Sequence, residues 1–586
     1  MLQPTLKAAY QSRLNTEIFK GYDHNPRIDD GEWHDEQNLS AKNYPLLTVR
    51  DRRGIIQKLD DPQGMLAKDA LMYIDGSDVI YNGYPVNGIT LSPEDDMLPK
   101  QMVSMGAYAV IFPDKVYVNT ADLSDYGSIE ASFSAVSAET VSVQMCRVDG
   151  SEFEINDIGD TAPEEPENGQ FWIDTSGSVH VLKQYSEAQA MWIENISTYV
   201  RIGCEGVGVN FSVDDGVRIS GLSGSDQLTA LNTDNVIIAK GDDYIVITGI
   251  LDAAHSQYGG LKVTRECPDM DFVTESGNRI WGCKYGLVNG QTVNEIYACK
   301  LGDFRNWRCY AGISTDSYAV NVGTDGRFTG AVTHLGYPLF FKENCIHKIY
   351  GSMPSEYAMN TTMCRGVQLG SWRSLNIVNE VLYYHSRDGV VAYDGSLPMS
   401  VSEAFGTVKY SDAVAGSLGG IYYISMRDSV GWHMFTYDTE KRIWHREDAT
   451  HALCFANVRG DLMYIDADTK QLISATGKSG TLERDFDWYA ESGIMGYEYP
   501  DSKYISRYAI RVKLGKDATL TMHIEYDSDG VWREMGTYTG GAILRTFTIP
   551  VIPRRCDHMR LRLSGTGDVK IYSIARYLEG GSDHWL

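Results

Sequence analysis

Acidic and histidine side chains are the residues of this chain whose spacing could support chemistry. Near the C-terminus, Asp527 and Asp529 lie two residues apart, and a pair of carboxylates is what glycoside hydrolysis requires. Both belong to the stretch Asp527-Ser-Asp-Gly530, which has the composition of a hairpin turn with glycine at a positive-φ position. The turn is the favoured interpretation, and a catalytic pair is the alternative.

Two further groups invite a chemical interpretation. The stretch Ser386-Arg-Asp-Gly389 resembles the Asp-box of sialidase propellers, but the Gly and Trp spacing of that motif is missing, so a turn is favoured. His433, His445 and His451 fall within one repeat unit and its neighbour. Dispersed histidines on strands indicate surface or hydrogen-bonded residues more than a metal triad.

The remaining candidates are glycine-rich or basic. The stretch Gly203–Gly208 opens no predicted helix and therefore gives little support for a dinucleotide site. For Arg50–Arg53 a solvated end of an N-terminal strap is favoured over contact with phosphate or an acidic partner. For Pro553–His558 a subunit interface and an exposed loop remain equally open. No candidate combines a nucleophile with a base and an orienting group.

The cysteines do not form a metal or disulfide pattern. There are ten, with no C-x-x-C pair, and buried reduced thiols are predicted. The sequence therefore predicts a protein that is not an enzyme, with no catalytic, cofactor-binding or metal-binding residues and no cofactor. The positions are Cys146, Cys204, Cys267, Cys283, Cys299, Cys309, Cys345, Cys364, Cys454 and Cys556.

Composition narrows the classes of protein. The 586 residues include 57 Gly and 37 Tyr, which favours many short strands joined by tight turns. The formal charge of −26 argues against sequence-independent binding of nucleic acid. A channel with an acidic surface would still let DNA pass without binding it. The sequence has no run of about 18 apolar residues, so no membrane span is predicted. Residues Met1–Arg13 show no apolar core of a signal peptide.

A repeat organises most of the chain. Seven segments each show an apolar strand, a polar turn and a second strand, and the last four starts are 42, 41 and 41 residues apart. This period is typical of a β-propeller blade, so we expect six or seven blades. The segments begin near Leu71, Ala107, Asn278, Tyr337, Asn379, Gly420 and Asp461.

The period is interrupted once, between the second and third segments. Strand-like alternation continues through this insert, where a small β-barrel or sandwich is expected, and through the last hundred residues, where a jelly-roll-like sandwich is expected. The predicted fold class is all-β. The predicted domains are an extended N-terminal strap (1–60), the first blades (61–129), the insert (130–267), the remaining blades (268–483) and the C-terminal sandwich (484–586).

Three blocks of sequence carry a resemblance to a known family. Trp33–Arg50, with its Asn-Leu-Ser-x-Lys-x-Tyr-Pro-x-Leu pattern, resembles the opening of virion structural proteins from tailed phages of Gram-positive bacteria. The segment Asn278–Asp303 and the block Arg554–Leu563 fit the same family, whose architecture is similar to tail nozzle proteins with an interrupted propeller.

The resemblance implies a role, a location and partners. The chain is expected to form a sixfold ring with copies of itself, below the portal and adaptor, and to gate the exit of genome DNA without binding it specifically. It implies synthesis in the host cytoplasm and residence in the virion tail. A receptor- or carbohydrate-binding tail protein is the first alternative, and a propeller glycosidase or lyase is the second.

Overall fold

The computed structural model describes residues 11–93, 99–195, 197–496, 503–551 and 554–580. It confirms the all-β class, with 52% of residues in strands and 3% in helices. The chain divides into two compact units. One comprises Met1–Val86, Phe340–Ile346 and Thr361–Leu586, and the other comprises Asn87–Leu339 and His347–Asn360.

Besides two C-terminal sheets, the first unit contains four sheets, here called meanders A, D, E and F, whose strands pair in chain order except in F. Meander F takes its fourth strand, Gly54–Lys58, from before meander A, and a short fifth strand follows it. The strands of A are Pro62–Ala67, Leu71–Asp75, Asp78–Tyr81 and Tyr84–Pro85. Those of D are Asn376–Val378, Val381–Ser386, Gly389–Tyr393 and Met399–Ser400. Those of E are Ser411–Leu418, Ile421–Arg427, Trp432–Asp438 and Ile443–Arg446, and those of F are Ala452–Val458, Asp461–Asp466, Gln471–Ser474, Gly54–Lys58 and Thr481–Leu482.

The first strands of these four meanders lie side by side in the order D, E, F, A. Their approach is close, because a Cβ built on Gly416 of meander E would lie 2.5 Å from Cβ of Phe455 in meander F. Only glycine fits that position. Meander F therefore has meander A as a neighbour, although the two are far apart in sequence.

The second unit contains meanders B and C. Their first strands lie in a row with the strand Gly330–His334. The strands of B are Gln101–Met105, Tyr108–Phe112, Val116–Asn119 and Tyr126–Ser128, and those of C are Phe272–Ser276, Arg279–Val288, Gln291–Ala298 and Tyr318–Asn321. Four further strands follow meander C in the chain: Gly330–His334, Tyr337–Lys342, Cys345–Tyr350 and Ala358–Met363. The predicted hairpins are the central strand pairs of the meanders, because the first strand of each pair carries a continuous apolar run and is buried along most of its length.

Between meanders B and C, the second unit has two sheets on one apolar core that includes Val143, Ile202, Ile219 and Val263. One sheet holds Ala131–Ser134, Lys262–Arg265, Gly216–Ser220 and Asp234–Val236, and the other holds Ala239–Gly241, Tyr244–Thr248, Tyr199–Gly203, Thr140–Cys146 and His255–Tyr258. A third, smaller sheet holds Asp157–Gly159, Phe171–Asp174, Val181–Ser186 and Met191–Glu194, and a short α-helix spans Asp226–Ala230. No closed barrel is present among the described residues.

The C-terminal part of the first unit is built from two six-stranded sheets around one core that includes Trp488, Tyr508, Leu520 and Leu563. Sheet one holds Leu39–Ser40, Leu47–Val49, Val569–Gly580, Lys503–Leu514, Leu544–Pro550 and Gln11–Thr16. Sheet two holds Gly21–Tyr22, Glu32–Gln37, Asp487–Ser492, Met559–Thr566, Thr519–Tyr526 and Arg533–Thr539. Short 3-10 helices span Ala41–Asn43, Pro354–Glu356, Trp372–Ser374 and Glu403–Phe405.

The N-terminal segment, for which the sequence predicts an extended strap, supplies strands to both C-terminal sheets. Leu14 pairs with Arg576 in sheet one, and Glu36 pairs with Ala490 in sheet two. The extended character of residues 11–58 thus reflects pairing with strands from the distant C-terminal half.

Candidate functional site: the polar junction of the N-terminal segment

Two arginines fasten the N-terminal segment to meander F and its flanking loop. Arg50 and Arg53 are 7% and 5% exposed, so the expectation that Arg50–Arg53 is a solvated strap end is wrong for both. Arg52, between them, is exposed and pairs with exposed Asp485. The strand Gly54–Lys58 begins directly after this stretch, and its pairing in meander F draws the two arginines inward.

Arg53 is surrounded by oxygen atoms. Its guanidinium lies 2.6 Å from Glu447 Oε2, 2.8 Å from Asp448 Oδ2, 2.8 Å from Thr450 Oγ1 and 3.0 Å from Tyr464 Oη. A guanidinium has five donors and stays charged at all relevant pH values, so one side chain satisfies four partners here. The result is a buried, charge-paired clamp on the closing strand.

The electrostatics of the clamp follow from burial and charge. Burial alone raises the pKa of Asp448, but the charge of Arg53, the Thr450 hydrogen bond and the charge of Arg50 outweigh it and lower that pKa to about 2. Arg50 lies over the ring of Phe486 at 4.0 Å and donates to Asn38 Oδ1 at 2.7 Å. Asp448 is therefore ionised throughout the physiological range.

A second polar cluster joins the strand Glu32–Gln37 to meander E. Glu36 is fully buried, and its Oε1 lies 2.8 Å from His445 Nδ1 and accepts the backbone N–H of Arg446. The neighbouring Asp35 accepts from Arg446 and, at 3.0 Å, from the hydroxyl of Tyr489 in sheet two. Burial, and then the charge of Asp35, raises the pKa of the Tyr489 hydroxyl, which keeps it a neutral donor. Meander E and the C-terminal sheets thus share these N-terminal carboxylates.

The predicted carboxylate pair is occupied by turn contacts. Asp527 accepts the backbone N–H groups of Asp557 and His558, and Asp529 pairs with Arg533 at 2.7 Å. Gly530 has a φ of +75°, which confirms the turn interpretation of this stretch. The contacts leave the two carboxylates in separate structural roles.

The Asp-box-like stretch is also a turn, between two strands of meander D. Ser386 Oγ donates to the carbonyl of Gly389 at 2.8 Å, and Gly389 has a φ of +135°. Asp388 pairs instead with Arg365 at 3.2 Å. These contacts confirm the turn and give the stretch no catalytic arrangement.

The three histidines do not converge. His433 lies 3.1 Å from Asp428, His445 is bound to Glu36, and His451 stacks on Trp432 at 3.8 Å. Within the described ranges no group of three or more histidine, cysteine or acidic side chains could hold a metal ion. Each histidine thus has a local partner of its own.

The other sequence candidates have structural roles as well. Gly203–Gly208 ends a strand and continues into turns without opening a helix. Arg554 and Arg555 are exposed, whereas Pro553, at the start of that basic stretch, lies outside the described residues. All ten cysteines are free thiols, as predicted, and nine of them are buried. None of the helices in the described part of the chain has the length and apolar character needed to cross a bilayer.

The acidic partners of the clamp gave no signal in the sequence. Glu447 and Asp448 follow a basic pair in a polar loop, as many solvent-facing charges do. Glu36 occupies a strand of mixed charge, which predicts an exposed edge. Their burial depends on pairing with residues about 400 positions away, and no local pattern records that pairing.

Comparisons with known proteins give little further guidance. No family model matches the chain, and no curated protein sequence matches it. Among solved structures it is similar to a glycoside hydrolase, with 10% identity and a TM-score of 0.21, over 51% of this chain and 96% of that one. It is also similar to the extracellular domain of a putative hybrid two component system from B. thetaiotaomicron, with 9% identity and a TM-score of 0.23, over 93% and 98%. TM-scores this low do not establish a shared fold.

Proposed function

We propose that this chain is a non-enzymatic structural component of a bacteriophage tail, a nozzle-type ring below the portal and adaptor through which the genome leaves. The proposal rests on the sequence blocks that resemble tailed-phage virion proteins, Trp33–Arg50, Asn278–Asp303 and Arg554–Leu563, and on the architecture. The low-similarity structural neighbours play no part in it.

The observation that carries the proposal is the pairing of Gly54–Lys58 with Gln471–Ser474. A propeller closes its ring when a strand from before the first blade completes the last blade, which removes the exposed edges. We propose that meanders A to F, with the four strands Gly330–Met363 as a further blade, form a seven-bladed propeller. The insert then interrupts it after the second blade, as in nozzle proteins.

The chemistry of the polar residues supports a structural role. Asp527, Asp529 and Asp388 are engaged in turns and ion pairs. Three buried charged residues, Arg53, Glu447 and Glu36, bind one another or neighbouring strands. Buried ion pairs of this kind fix which segments pair. Such ion pairs would stabilise a tail component against the forces of DNA ejection.

The charge of the chain suits a conduit. The formal charge of the chain is −26. Two of its basic residues, Arg50 and Arg53, are buried in ion pairs inside the first unit. An acidic wall repels the phosphate backbone and lets DNA pass without sticking. We propose that six copies form the ring, with genome DNA as cargo.

The proposal is tested by locating the chain in virions. A short epitope inserted between exposed Glu164 and Glu165 should be labelled at one axial position directly below the head, and averaged images should show six copies. Unmodified virions are the control. A single copy per particle, or trimers at the tail periphery, would contradict the nozzle and favour a receptor-binding protein.

A carbohydrate-binding tail protein is the second candidate. The observation that favours it is a cavity between the two C-terminal sheets, lined by aromatic and charged side chains. A glycan array with the full-length chain distinguishes this role from the nozzle, and a polysaccharide depolymerisation assay addresses the glycosidase alternative.

A further inference from the structure

A cavity of about 240 Å³ opens at one end of the C-terminal pair of sheets. Trp33 and Leu561 of sheet two line one side of it, and Tyr508 and Ile574 of sheet one line the other. Phe19, which stacks on Trp33 with ring centroids 6.2 Å apart, adds a third aromatic ring. The sheets thus leave an aromatic and aliphatic recess where the core ends.

Two polar atoms in this lining have no partner. Trp33 is 3% exposed and Tyr508 is 1% exposed, and neither the indole N–H nor the phenol hydroxyl makes a hydrogen bond within the described structure. Buried polar groups in folded proteins are nearly always hydrogen-bonded. Because both groups belong to residues that line one cavity, a ligand that brings oxygen atoms into it would satisfy them.

The mouth of the cavity carries fixed charges. Asp30 and Arg576 form a two-point pair, with nitrogen–oxygen distances of 2.8 and 2.9 Å. Asp29 lies beside this pair on the same connection, and Glu32 begins the strand that follows. The backbone N–H of Asp29 donates to Glu32 Oε2 at 2.7 Å. The mouth therefore offers both acceptors and donors in held positions.

We propose that this cavity binds one pyranose ring, presented as the terminal residue of a glycan. The volume lies between the roughly 150 Å³ that holds a benzene ring and the roughly 300 Å³ at which pockets begin to take larger ligands, so a single ring fits. The apolar face of a sugar packs on the aromatic lining, and its oxygens reach the indole N–H and the phenol hydroxyl. Its outer hydroxyl groups meet the charged mouth.

This inference goes beyond the nozzle and does not depend on it. A protein that lines the tail axis and a protein that binds receptors could each carry such a cavity, so particle symmetry and sugar binding are separate measurements. Failure of sugar binding leaves the nozzle untouched, and loss of the axial location leaves the cavity to be tested on the isolated chain.

The experiment measures binding of free monosaccharides to the full-length chain by saturation-transfer NMR and calorimetry. The probes are glucose, galactose, mannose, rhamnose and N-acetylglucosamine, with cyclohexanol as a ring that lacks the hydroxyl pattern. We expect a dissociation constant on the order of 1 mM for at least one sugar. Trp33→Phe and Tyr508→Phe should each weaken it about fivefold, because each loses one hydrogen bond.

Matched controls exist in the same core. Trp488 and Tyr526 are equally buried, their polar atoms also lack partners, and neither lines the cavity. Trp488→Phe and Tyr526→Phe should therefore leave sugar binding unchanged. If Trp33→Phe does not fold, the sugar affinities of Tyr508→Phe and Tyr526→Phe are compared instead. Each of these two changes removes one oxygen atom.

Three results would overturn the proposal. These are a folded wild-type chain that binds no sugar of the panel saturably, binding of cyclohexanol alone, and equal weakening by the cavity variants and their controls. Selective weakening by the cavity variants supports it.

Discussion

Replacing Arg53 with Met should loosen the closing strand of meander F. The change keeps much of the side-chain volume and removes a guanidinium that pairs with Glu447 and Asp448, of which Glu447 has a side chain only 8% exposed. Two carboxylates are then left together, with Arg50 as the nearest cation, 3.7 Å from Asp448. Breaking a buried ion pair by removing one partner costs about 3–5 kcal/mol.

The magnitude can be measured by calorimetry and by hydrogen exchange. A loss of about 3 kcal/mol lowers the melting temperature of a domain of 150–250 residues by roughly 6 °C or more, and the larger first unit should show a shift of a few degrees. The amides of Gly54–Lys58 should exchange faster in the variant, because their strand pairing depends on the clamp. Arg52→Met is the control, since Arg52 and Asp485 form an exposed pair worth at most about 1 kcal/mol.

The reasoning is refuted if the two variants melt alike. Equal melting temperatures would mean that the buried Arg53 cluster contributes no more to the free energy of unfolding than an exposed ion pair does. Normal protection of Gly54–Lys58 in a destabilised Arg53→Met chain would also contradict it, since the loss would then arise elsewhere.

Three further predictions concern the charged residues of the chain. Since the folded pKa of Asp448 is about 2, below its unfolded value of about 3.9, it contributes roughly 2 to 3 kcal/mol of stability above pH 4. This is lost as the pH falls towards 2, and Asp448→Asn should flatten the acid side of a melting profile. Excising the insert and joining Glu130 to Asp269 should leave a chain that melts cooperatively, because Lys115 Nζ lies 2.9 and 2.8 Å from these carboxylates and holds the two ends together. An insoluble product would contradict this. In filter-binding assays at about physiological salt, duplex DNA should not be retained at micromolar protein, given the charge of −26.

The sequence predicted the hairpins well, because the information that specifies them is local. The run from Asn379 has a continuous apolar stretch on each side of the polar turn residues Arg387-Asp388-Gly389, and the structure has strands Val381–Ser386 and Gly389–Tyr393 there. The 41-residue spacing likewise located the later meanders. Two apolar runs joined by a short polar turn pair with each other with little ambiguity.

The partners of the N-terminal strands could not be predicted in the same way. The sequence of Glu32–Gln37 shows neither that Glu36 faces inward nor that the strand joins Asp487–Ser492. Burial of Arg50 and Arg53 was missed for the same reason, since charged residues are assigned to solvent unless a distant partner is known. The candidate cavity depends on the same long-range pairing, because Trp33 and Tyr508 meet only when both sheets are complete.

Removal of residues 1–59 should therefore damage both the C-terminal sheets and meander F. The deletion takes away strands Gln11–Thr16 and Leu47–Val49 from sheet one, Glu32–Gln37 from sheet two and Gly54–Lys58 from meander F. It leaves the apolar face around Trp488 without the cover of Trp33, and it frees a strand edge in each of the three sheets, which favours aggregation. We expect an aggregated product that a separate peptide of residues 11–58 rescues during refolding, as followed by tryptophan fluorescence and size-exclusion chromatography. A truncated chain that remains monomeric and melts like the full-length chain would show that the N-terminal strands are attached to modules that fold without them.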